Sequence, residues 1–323
     1  MPTFIHGGAK IWGQRTDDGH YAVFYNPKES HRFPLIVNTS EDGITYDNLW
    51  VVHGEVPVQR FTGRAREPGP QYVRGIGEGN GNPPGDNVWL AYSVNKEDIW
   101  VSYVPVPVRA QASGWVQEDF EQMPAGSIVK GWNIYSPVWA PVSVGSEGGN
   151  QFLKLQDYDS YDYAKAVRVF PDCRMVDVAF RLKPMPIEDG RLEVELLDKE
   201  GHRLVRIQVG GAERAVKANS GDSISTVAPF TKGQWLEVSI HAEVDNKLYS
   251  LTVNGKTLVK NASFADAKLV SSLQRLEFRT GPYRLNAPLS HIKEPQMNDG
   301  LPGADEKLFP STFYIDDVVI RGR

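Results

Sequence analysis

The feature that most constrains this chain is a strict alternation of apolar and polar residues in many short segments. In the segment 191–197, RLEVELL, the apolar residues Leu192, Val194 and Leu196 fall on one side of an extended chain. Side chains two residues apart share one face of a β-strand. One-sided alternation recurs throughout residues 115–323, and it predicts two packed sheets with polar outer faces. We therefore expect a β-sandwich of jelly-roll type in this part of the chain.

The part before residue 108 consists of short predicted strands between turns. The turn sequences TDDG and SEDG indicate two hairpins, one joining residues 9–14 to 21–26 and the other joining 34–39 to 44–54. Residues 21–29 also match residues 89–97 in pattern. Repeated antiparallel units of this size are typical of propeller blades, of which about two fit here and roughly four to eight close a ring. The expectation is an all-β chain that begins with part of a larger propeller.

Residues 104–114, VPVPVRAQASG, predict a boundary, because alternating valine and proline cannot donate a regular ladder of hydrogen bonds. The expected division is propeller blades in residues 1–107, a linker in 108–114 and the sandwich in 115–323.

Composition excludes several classes of protein. The 323 residues carry a net charge of −5 without long charged runs, which argues against a nucleic-acid partner. No apolar stretch has the length of a membrane span, and the first residues lack the pattern of a signal peptide. If the chain is a fragment of a longer protein, a secreted or periplasmic location is expected. The single cysteine, Cys173, excludes an internal disulfide.

Several motifs carry a resemblance to a known family. The stretch 40–46, SEDGITY, is similar to an Asp-box but lacks one residue between its aspartate and glycine, and HGGAKIWGQR, QYVRGIGEGNG and SVNKEDIWVS accompany it. With these motifs, residues 1–107 resemble the last blades of a sialidase-like (BNR/Asp-box) propeller from bacterial polysaccharide-degrading proteins. WVQEDFEQMPAG, LEFRTGP and FYIDDVVI resemble the concanavalin A-like sandwich that follows the propeller in one branch. The resemblance implies an extracellular carbohydrate-active protein.

In such a propeller the inner strands line a central funnel. If residues 9–15 and 71–76 are inner strands, the candidate catalytic residues are His6, Tyr72, Arg74 and Glu78, and the candidate substrate-binding residues are Lys10, Trp12 and Gln14. In a sialidase-like glycoside hydrolase, Arg74 would bind a carboxylate while Tyr72 or Glu78 acts as nucleophile or acid/base.

A polysaccharide lyase would use the same residues differently. Arg74 or Lys10 would neutralise a uronate carboxylate, and His6 or Tyr72 would remove the C5 proton. Neither reaction needs a catalytic cofactor, and both take a polysaccharide or oligosaccharide, an anionic one where a carboxylate is bound. A structural alternative is that Arg74 pairs with a neighbouring carboxylate and His6 caps a turn.

The sandwich suggests two further sites. Its first and last strands are expected side by side, so that Glu121 and Asp317, completed by Asp157, would hold a structural calcium; solvated strand-end acids are the alternative. Tyr161 and Tyr163 are candidate sugar contacts within a wider aromatic set of Trp132, Tyr135, Trp139 and Tyr158. Buried anchoring of a loop is the alternative for these rings. A non-catalytic glycan-binding or adhesion module thus stands beside the two enzymatic hypotheses.

Overall fold

The computed structural model describes residues 10–27, 32–55, 67–76, 87–109, 112, 114–159, 162–185, 189–267, 270–281 and 310–323. All regular structure in these ranges is β-strand, as the alternation predicted. These ranges contain no helix that is long and apolar enough to span a membrane. By their internal contacts the described residues form two compact units, one up to residue 109 and one from residue 112 onward.

The first unit contains two open antiparallel sheets with strands in chain order. The four-stranded sheet consists of β1 (Trp12–Arg15), β2 (Tyr21–Tyr25), β3 (Leu35–Ser40) and β4 (Asn48–His53). The three-stranded sheet consists of β5 (Pro70–Gly75), β6 (Asn87–Val94) and β7 (Asp98–Pro105). Both predicted hairpins are present, since β1 pairs with β2 and β3 pairs with β4. Neither sheet closes into a ring, so the propeller remains a prediction.

The turn between β3 and β4 shows why its sequence was informative. Asp42 Oδ1 accepts hydrogen bonds from the backbone N–H groups of Ile44 and Thr45, at 2.8 and 2.7 Å. Ser40 Oγ donates to the same carboxylate at 3.0 Å and accepts from the N–H of Gly43. These hydrogen bonds, led by the one from Thr45, lower the pKa of Asp42 to about 2. The polar residues of the motif therefore build a local turn.

The core of the first unit lies where apolar faces of its two sheets meet. Phe24 and Val37 from the four-stranded sheet cluster with Val73, Leu90 and Tyr92 from the three-stranded one, and all five are buried. Gly75 in β5 is required by this packing, because a Cβ there would lie 2.1 Å from the indole nitrogen of Trp12.

The second unit contains two larger antiparallel sheets. Its strands are β8 (Val116–Glu118), β9 (Asn133–Tyr135), β10 (Val142–Glu147), β11 (Asn150–Asp157), β12 (Lys165–Cys173), β13 (Met175–Pro184), β14 (Arg191–Leu197), β15 (Arg203–Gly210), β16 (Ala215–Ser220), β17 (Ser223–Pro229), β18 (Leu236–Glu243), β19 (Leu248–Val253), β20 (Lys256–Ser263), β21 (Leu273–Thr280) and β22 (Ser311–Gly322). One sheet runs β10-β11-β22-β13-β18-β19-β20 with β8 beside β22, and the other runs β17-β16-β15-β14-β21-β12-β9.

The two sheets share one apolar core, which is the arrangement of a β-sandwich. Phe180 of β13 and Phe278 of β21 meet edge to face with ring centroids 5.1 Å apart, and both rings are buried. Leu192, Val194 and Leu196 of β14 point into this core as the alternation predicted. Cys173 is also buried, as expected of an ordinary strand residue.

The outer face of β14 was expected to be exposed to solvent, but its acidic residues are buried. Glu193 and Glu195 point away from the core, yet each is only 1% exposed. Arg191 Nε lies 2.8 Å from the carboxylate of Glu193, and Arg203 donates two hydrogen bonds to Glu195, one of them at 2.6 Å. Arginine stems and guanidinium groups therefore cover the carboxylates, which alternation alone cannot reveal.

Candidate functional site

Tyr72 occupies an unusual position in strand β5. The pairing of β5 with β6 shifts register between Gln71 and Arg74, which marks a β-bulge. At this bulge the backbone of Tyr72 adopts a positive φ of 57°, a left-handed conformation that is rare for a bulky side chain. The tyrosine is 37% exposed while its neighbour Val73 is buried. The bulge thus directs an aromatic ring outward at a conformational cost.

Three cationic side chains surround this ring, and with Tyr72 they form what we call the Tyr72 cluster. Lys10 Nζ and Lys96 Nζ each lie 5.4 Å from the ring centroid. The guanidinium carbon of Arg32 lies 5.2 Å from it. All three distances are within the range of cation–π attraction. The members come from four separate segments of the first unit, so the fold itself assembles the cluster.

Buried amides hold these segments in place. Asn95 is buried, its Oδ1 accepts from the N–H of Gly69 at 2.8 Å, and its own N–H donates to Gly69 O at 3.0 Å. Asn26 Nδ2 donates to Pro70 O at 2.9 Å. Asn95 and Lys96 both have positive φ angles, as in the type I′ turn that favours tight hairpins. The turn between β6 and β7 is therefore structural, and it also positions Lys96.

The structure brings together only some of the residues predicted for the first unit. Lys10 and Tyr72 are in contact, and Trp12 Nε1 donates to Gln14 Oε1 at 2.9 Å. Arg74 is exposed on the same strand as Tyr72. His6 and Glu78 lie outside the described residues. Arg32 and Lys96 were not predicted from the sequence. The one available signal was that Lys96 is a basic residue in a turn motif, and such residues are far more often only solvated charges.

An exposed aromatic patch lies on the second unit, formed by Val138, Trp139 and Tyr158. Trp139 is 67% exposed and Tyr158 is 51% exposed, and Val138 beside them is also exposed. The N–H of Tyr158 donates to Trp139 O at 2.9 Å, which ties the turn before β10 to the end of β11. Gln156 Nε2 lies 2.6 Å from the hydroxyl of Tyr158. Two exposed aromatic residues thus lie on backbone segments that a hydrogen bond joins.

The other aromatic candidates of the second unit are placed differently. Trp132 and Tyr135 are buried, which agrees with the structural alternative for these two rings. Tyr163 lies under the guanidinium of Arg279, 3.7 Å from ring centroid to guanidinium carbon, and packs against Tyr135. Tyr161 lies outside the described residues. The aromatic surface of the described second unit is therefore centred on Trp139 and Tyr158.

The three residues predicted to hold calcium do not form one site. Asp157 is opposite Ser311 at the start of β22, so Asp317 lies roughly 20 Å further along that strand at about 3.3 Å per residue. Asp317 Oδ2 lies 2.6 Å from Arg181 Nε. Glu121 Oε1 accepts from the N–H of Gln151 at 2.9 Å. Strands β8 and β22 do pair as expected, but the donor set does not fit a calcium ion shared by these residues.

The guanidinium of Arg181 lies beside Asp317, where a calcium ion was predicted. Its Nη2 lies 2.5 Å from the carboxylate of Asp316, which is buried in the sandwich. Asn150 Nδ2 donates to the same carboxylate at 2.9 Å. One guanidinium of strand β13 is therefore paired with both carboxylates of the acidic pair 316–317.

Asp198, Glu200 and His202 bring potential metal-ligating atoms within 4.8 Å of one another in the turn between β14 and β15. His202 donates its backbone N–H to Asp198 Oδ1 at 2.8 Å, and its Nδ1 lies 2.6 Å from Oδ2. The contact with Asp198 raises the pKa of His202. Local hydrogen bonds of a tight turn account for this grouping.

Comparison with known proteins gave one match within the second unit and one that spans both units. Residues 132–290 match the sialidase-like CBM domain. The matched range covers most of the second unit, including Trp139 and Tyr158. The chain is also similar to a solved protein named sialidase, with 37% identity and a TM-score of 0.85. That alignment covers 97% of this chain but only 28% of the sialidase.

Two other similarities are looser. The Trypanosoma rangeli sialidase in complex with 2,3-difluorosialic acid aligns over 97% of this chain and 50% of its own, with 11% identity and a TM-score of 0.40. The Crh5 transglycosylase aligns over 66% of this chain and 86% of its own, with 15% identity and a TM-score of 0.45. Among curated proteins, none matches the sequence.

Proposed function

We propose that the chain binds a glycan through its second unit, as part of a sialidase-like carbohydrate-active protein. The observation that carries this proposal is the exposed pair Trp139 and Tyr158 within the region that matches a carbohydrate-binding module. Aromatic rings offer broad apolar faces against which the C–H groups of a pyranose can stack. Contiguous exposed apolar groups of this kind usually mark an interaction site.

The test is retention in native gels that contain sialylated mucin, alginate or a neutral β-glucan. We expect Trp139→Ala and Tyr158→Ala each to weaken retention and the double variant to abolish it, because the stacking faces are lost. Both side chains are exposed, so these changes should alter the free energy of unfolding by only about 0.5 kcal/mol. The melting temperature of each variant checks that the fold persists.

Trp115→Ala is the matched control, since Trp115 is an exposed tryptophan of the same unit outside the patch. It should migrate like the wild type in every gel. If the double variant and the wild type were retained equally by the same glycan, binding would have to occur elsewhere and the proposed role of the patch would be wrong.

Cleavage of a glycosidic bond, by hydrolysis or by elimination, is the second candidate function. The contact between Lys10 and Tyr72 favours it, because the sequence assigned both residues to one funnel and each has a role in both reactions. Hydrolysis would release new reducing ends, and elimination from a uronate-containing glycan would give an unsaturated product that absorbs ultraviolet light. Either activity should be lost in Arg74→Ala. An activity that survives this change would contradict the assignment of Arg74.

A further inference from the structure

We propose that the site around Trp139 and Tyr158 continues along the outer face of β11 and takes an extended acidic oligosaccharide, whose carboxylate or sulfate group is bound by Lys154. This inference rests on the proposed glycan binding by the second unit and names the class of glycan. Bond cleavage in the first unit plays no part in it. We call the outward-facing residues Lys154, Gln156 and Tyr158 the β11 row.

The first support is that the β11 row is continuous with the aromatic patch. Leu153 and Leu155 point into the core of the sandwich, so the alternate residues of this strand face outward. Gln156 Nε2 lies 2.6 Å from the hydroxyl of Tyr158, which places the two side chains on one face. Lys154 is four residues before Tyr158, a distance of about 13 Å along an extended chain. A single sugar ring cannot reach from one to the other, so the occupant is a chain of sugars.

The second support is an aromatic platform at the Lys154 end of the row. Tyr314 is directly opposite Lys154 in the pairing of β11 with β22. Its ring stacks on Phe152 with centroids 4.1 Å apart, and Trp235 packs edge-on against the same phenylalanine at 6.2 Å. Tyr314 and Trp235 are only half-buried, so part of each ring faces solvent. The row thus has an aromatic surface at each end.

The platform is held in place by close packing between β10 and β11. Gly145 pairs with Phe152, and a Cβ at this glycine would lie 2.3 Å from the phenylalanine ring. A glycine within a strand often marks such a close approach. Phe152 is 1% exposed although its ring is on the outer face of the sheet. A ring stacked on this base loses little conformational freedom when a sugar binds.

The third support is the charge of Lys154. Its cross-strand neighbours are Ser143 on β10 and Tyr314 on β22, which are both uncharged. Lys183, on the other side of Tyr314, forms an ion pair with Glu147. In the described part of the chain, no carboxylate forms an ion pair with Lys154. Its ammonium group can therefore donate a charge-assisted hydrogen bond to an acidic sugar beside the platform.

The experiment is a titration of the full chain, followed by NMR chemical shifts, with tetrasaccharides of alginate and κ-carrageenan and with neutral cellotetraose. We expect at least one acidic tetrasaccharide to bind about tenfold more tightly than cellotetraose, with an affinity that falls as salt is added. Monomeric D-mannuronate and D-galactose 4-sulfate should bind far more weakly, because neither can occupy both ends of the row. Preference for alginate identifies the bound group as a carboxylate, and preference for carrageenan identifies it as a sulfate.

Lys154→Met should weaken binding of the preferred acidic tetrasaccharide about tenfold and leave the affinity for cellotetraose unchanged, because it removes one charge-assisted hydrogen bond. Lys154→Arg keeps the charge and should retain most of the affinity. Lys260→Met is the matched control, since Lys260 is an exposed lysine of β20, at the opposite edge of the same sheet. It should bind every tetrasaccharide like the wild type.

Three results would overturn the inference: equal affinities for acidic and neutral tetrasaccharides, equal affinities for an acidic tetrasaccharide and its monomer, or unchanged affinity in Lys154→Met. None of them contradicts the proposed function, since a glycan site confined to Trp139 and Tyr158 would give the same results. The proposed function fails instead if the Trp139→Ala/Tyr158→Ala variant binds every tetrasaccharide as the wild type does.

Discussion

Asp162 illustrates how one residue can make stability depend on pH. Burial raises the pKa of its carboxyl group to about 8, despite hydrogen bonds from the Tyr135 hydroxyl at 2.9 Å and the Tyr163 N–H at 3.0 Å. The neighbouring carboxylates of Asp157 and Asp159 act in the same direction as burial. An aspartate in the unfolded chain has a pKa near 3.8. The folded state therefore binds the extra proton between these two values, and its stability falls as pH rises through that window.

We expect Asp162→Asn to remove most of this dependence, because the amide resembles the protonated acid. The variant should melt near the wild-type temperature close to pH 4 and increasingly above it as the pH rises to 8, since each kcal/mol shifts the melting temperature of a domain this size by about 2–4 °C. Asp157, whose pKa burial raises to about 6, leaves a smaller slope of the same sign. The exposed control Asp172→Asn should keep the wild-type slope. Parallel slopes for wild type and Asp162→Asn would contradict the assignment.

At the scale of single residues, the sequence predicted which side chains could take part in a site better than it predicted which of them lie close together in the fold. Lys10 and Tyr72 were selected together, and they are in contact. Arg32 and Lys96 were missed because their approach to the ring depends on which turns meet in space. Trp139 and Trp132 were equivalent in sequence, yet one is exposed and the other buried, since exposure in a turn is set by packing from distant strands.

At the scale of elements, the ion pairs of strand β22 allow us to predict whether the stability of the sandwich depends on a metal ion. Its residues Asp316 and Asp317 are paired with Arg181 of β13 at 2.5 and 2.6 Å. We expect Arg181→Met to destabilise the sandwich by about 1–3 kcal/mol, because it leaves the buried carboxylate of Asp316 without its cation. The exposed Arg321→Met, on the same strand, should have little effect. Thermal melting with and without EDTA is the measurement.

The same melting curves test the calcium prediction. With Arg181 supplying the positive charge, a chelator should leave the melting temperature unchanged. A drop on addition of EDTA that calcium reverses would instead require a metal bound by another set of ligands. The error in the predicted site was one of register: Asp157 and Asp317 are on neighbouring strands, but Asp157 is opposite Ser311, six residues before Asp317. Spacing along the chain does not specify register between strands.

At the scale of the whole molecule, the sequence predicted what depends on local periodicity. Alternation in β14 and its neighbours was enough to indicate a two-sheet sandwich, because a face of regularly spaced apolar residues must pack against another such face. The order of strands in those sheets, and any assembly of β1–β7 into propeller blades, depends on contacts between distant segments. The burial of polar residues such as Glu195 could not be predicted for the same reason, because the side chain that covers Glu195 comes from a neighbouring strand.

The outermost strands of the first unit have a consequence for how the protein behaves at high concentration. In the described residues β4 and β7 end their sheets, and they expose Leu49 and Val51 on one and Ile99 and Val101 on the other. A terminal strand of this kind offers unmatched main-chain donors and acceptors beside an apolar face, so an extended segment of another molecule can add to it. Wherever β4 or β7 lacks a neighbouring strand, crowding would favour the addition of a strand from another molecule at that edge.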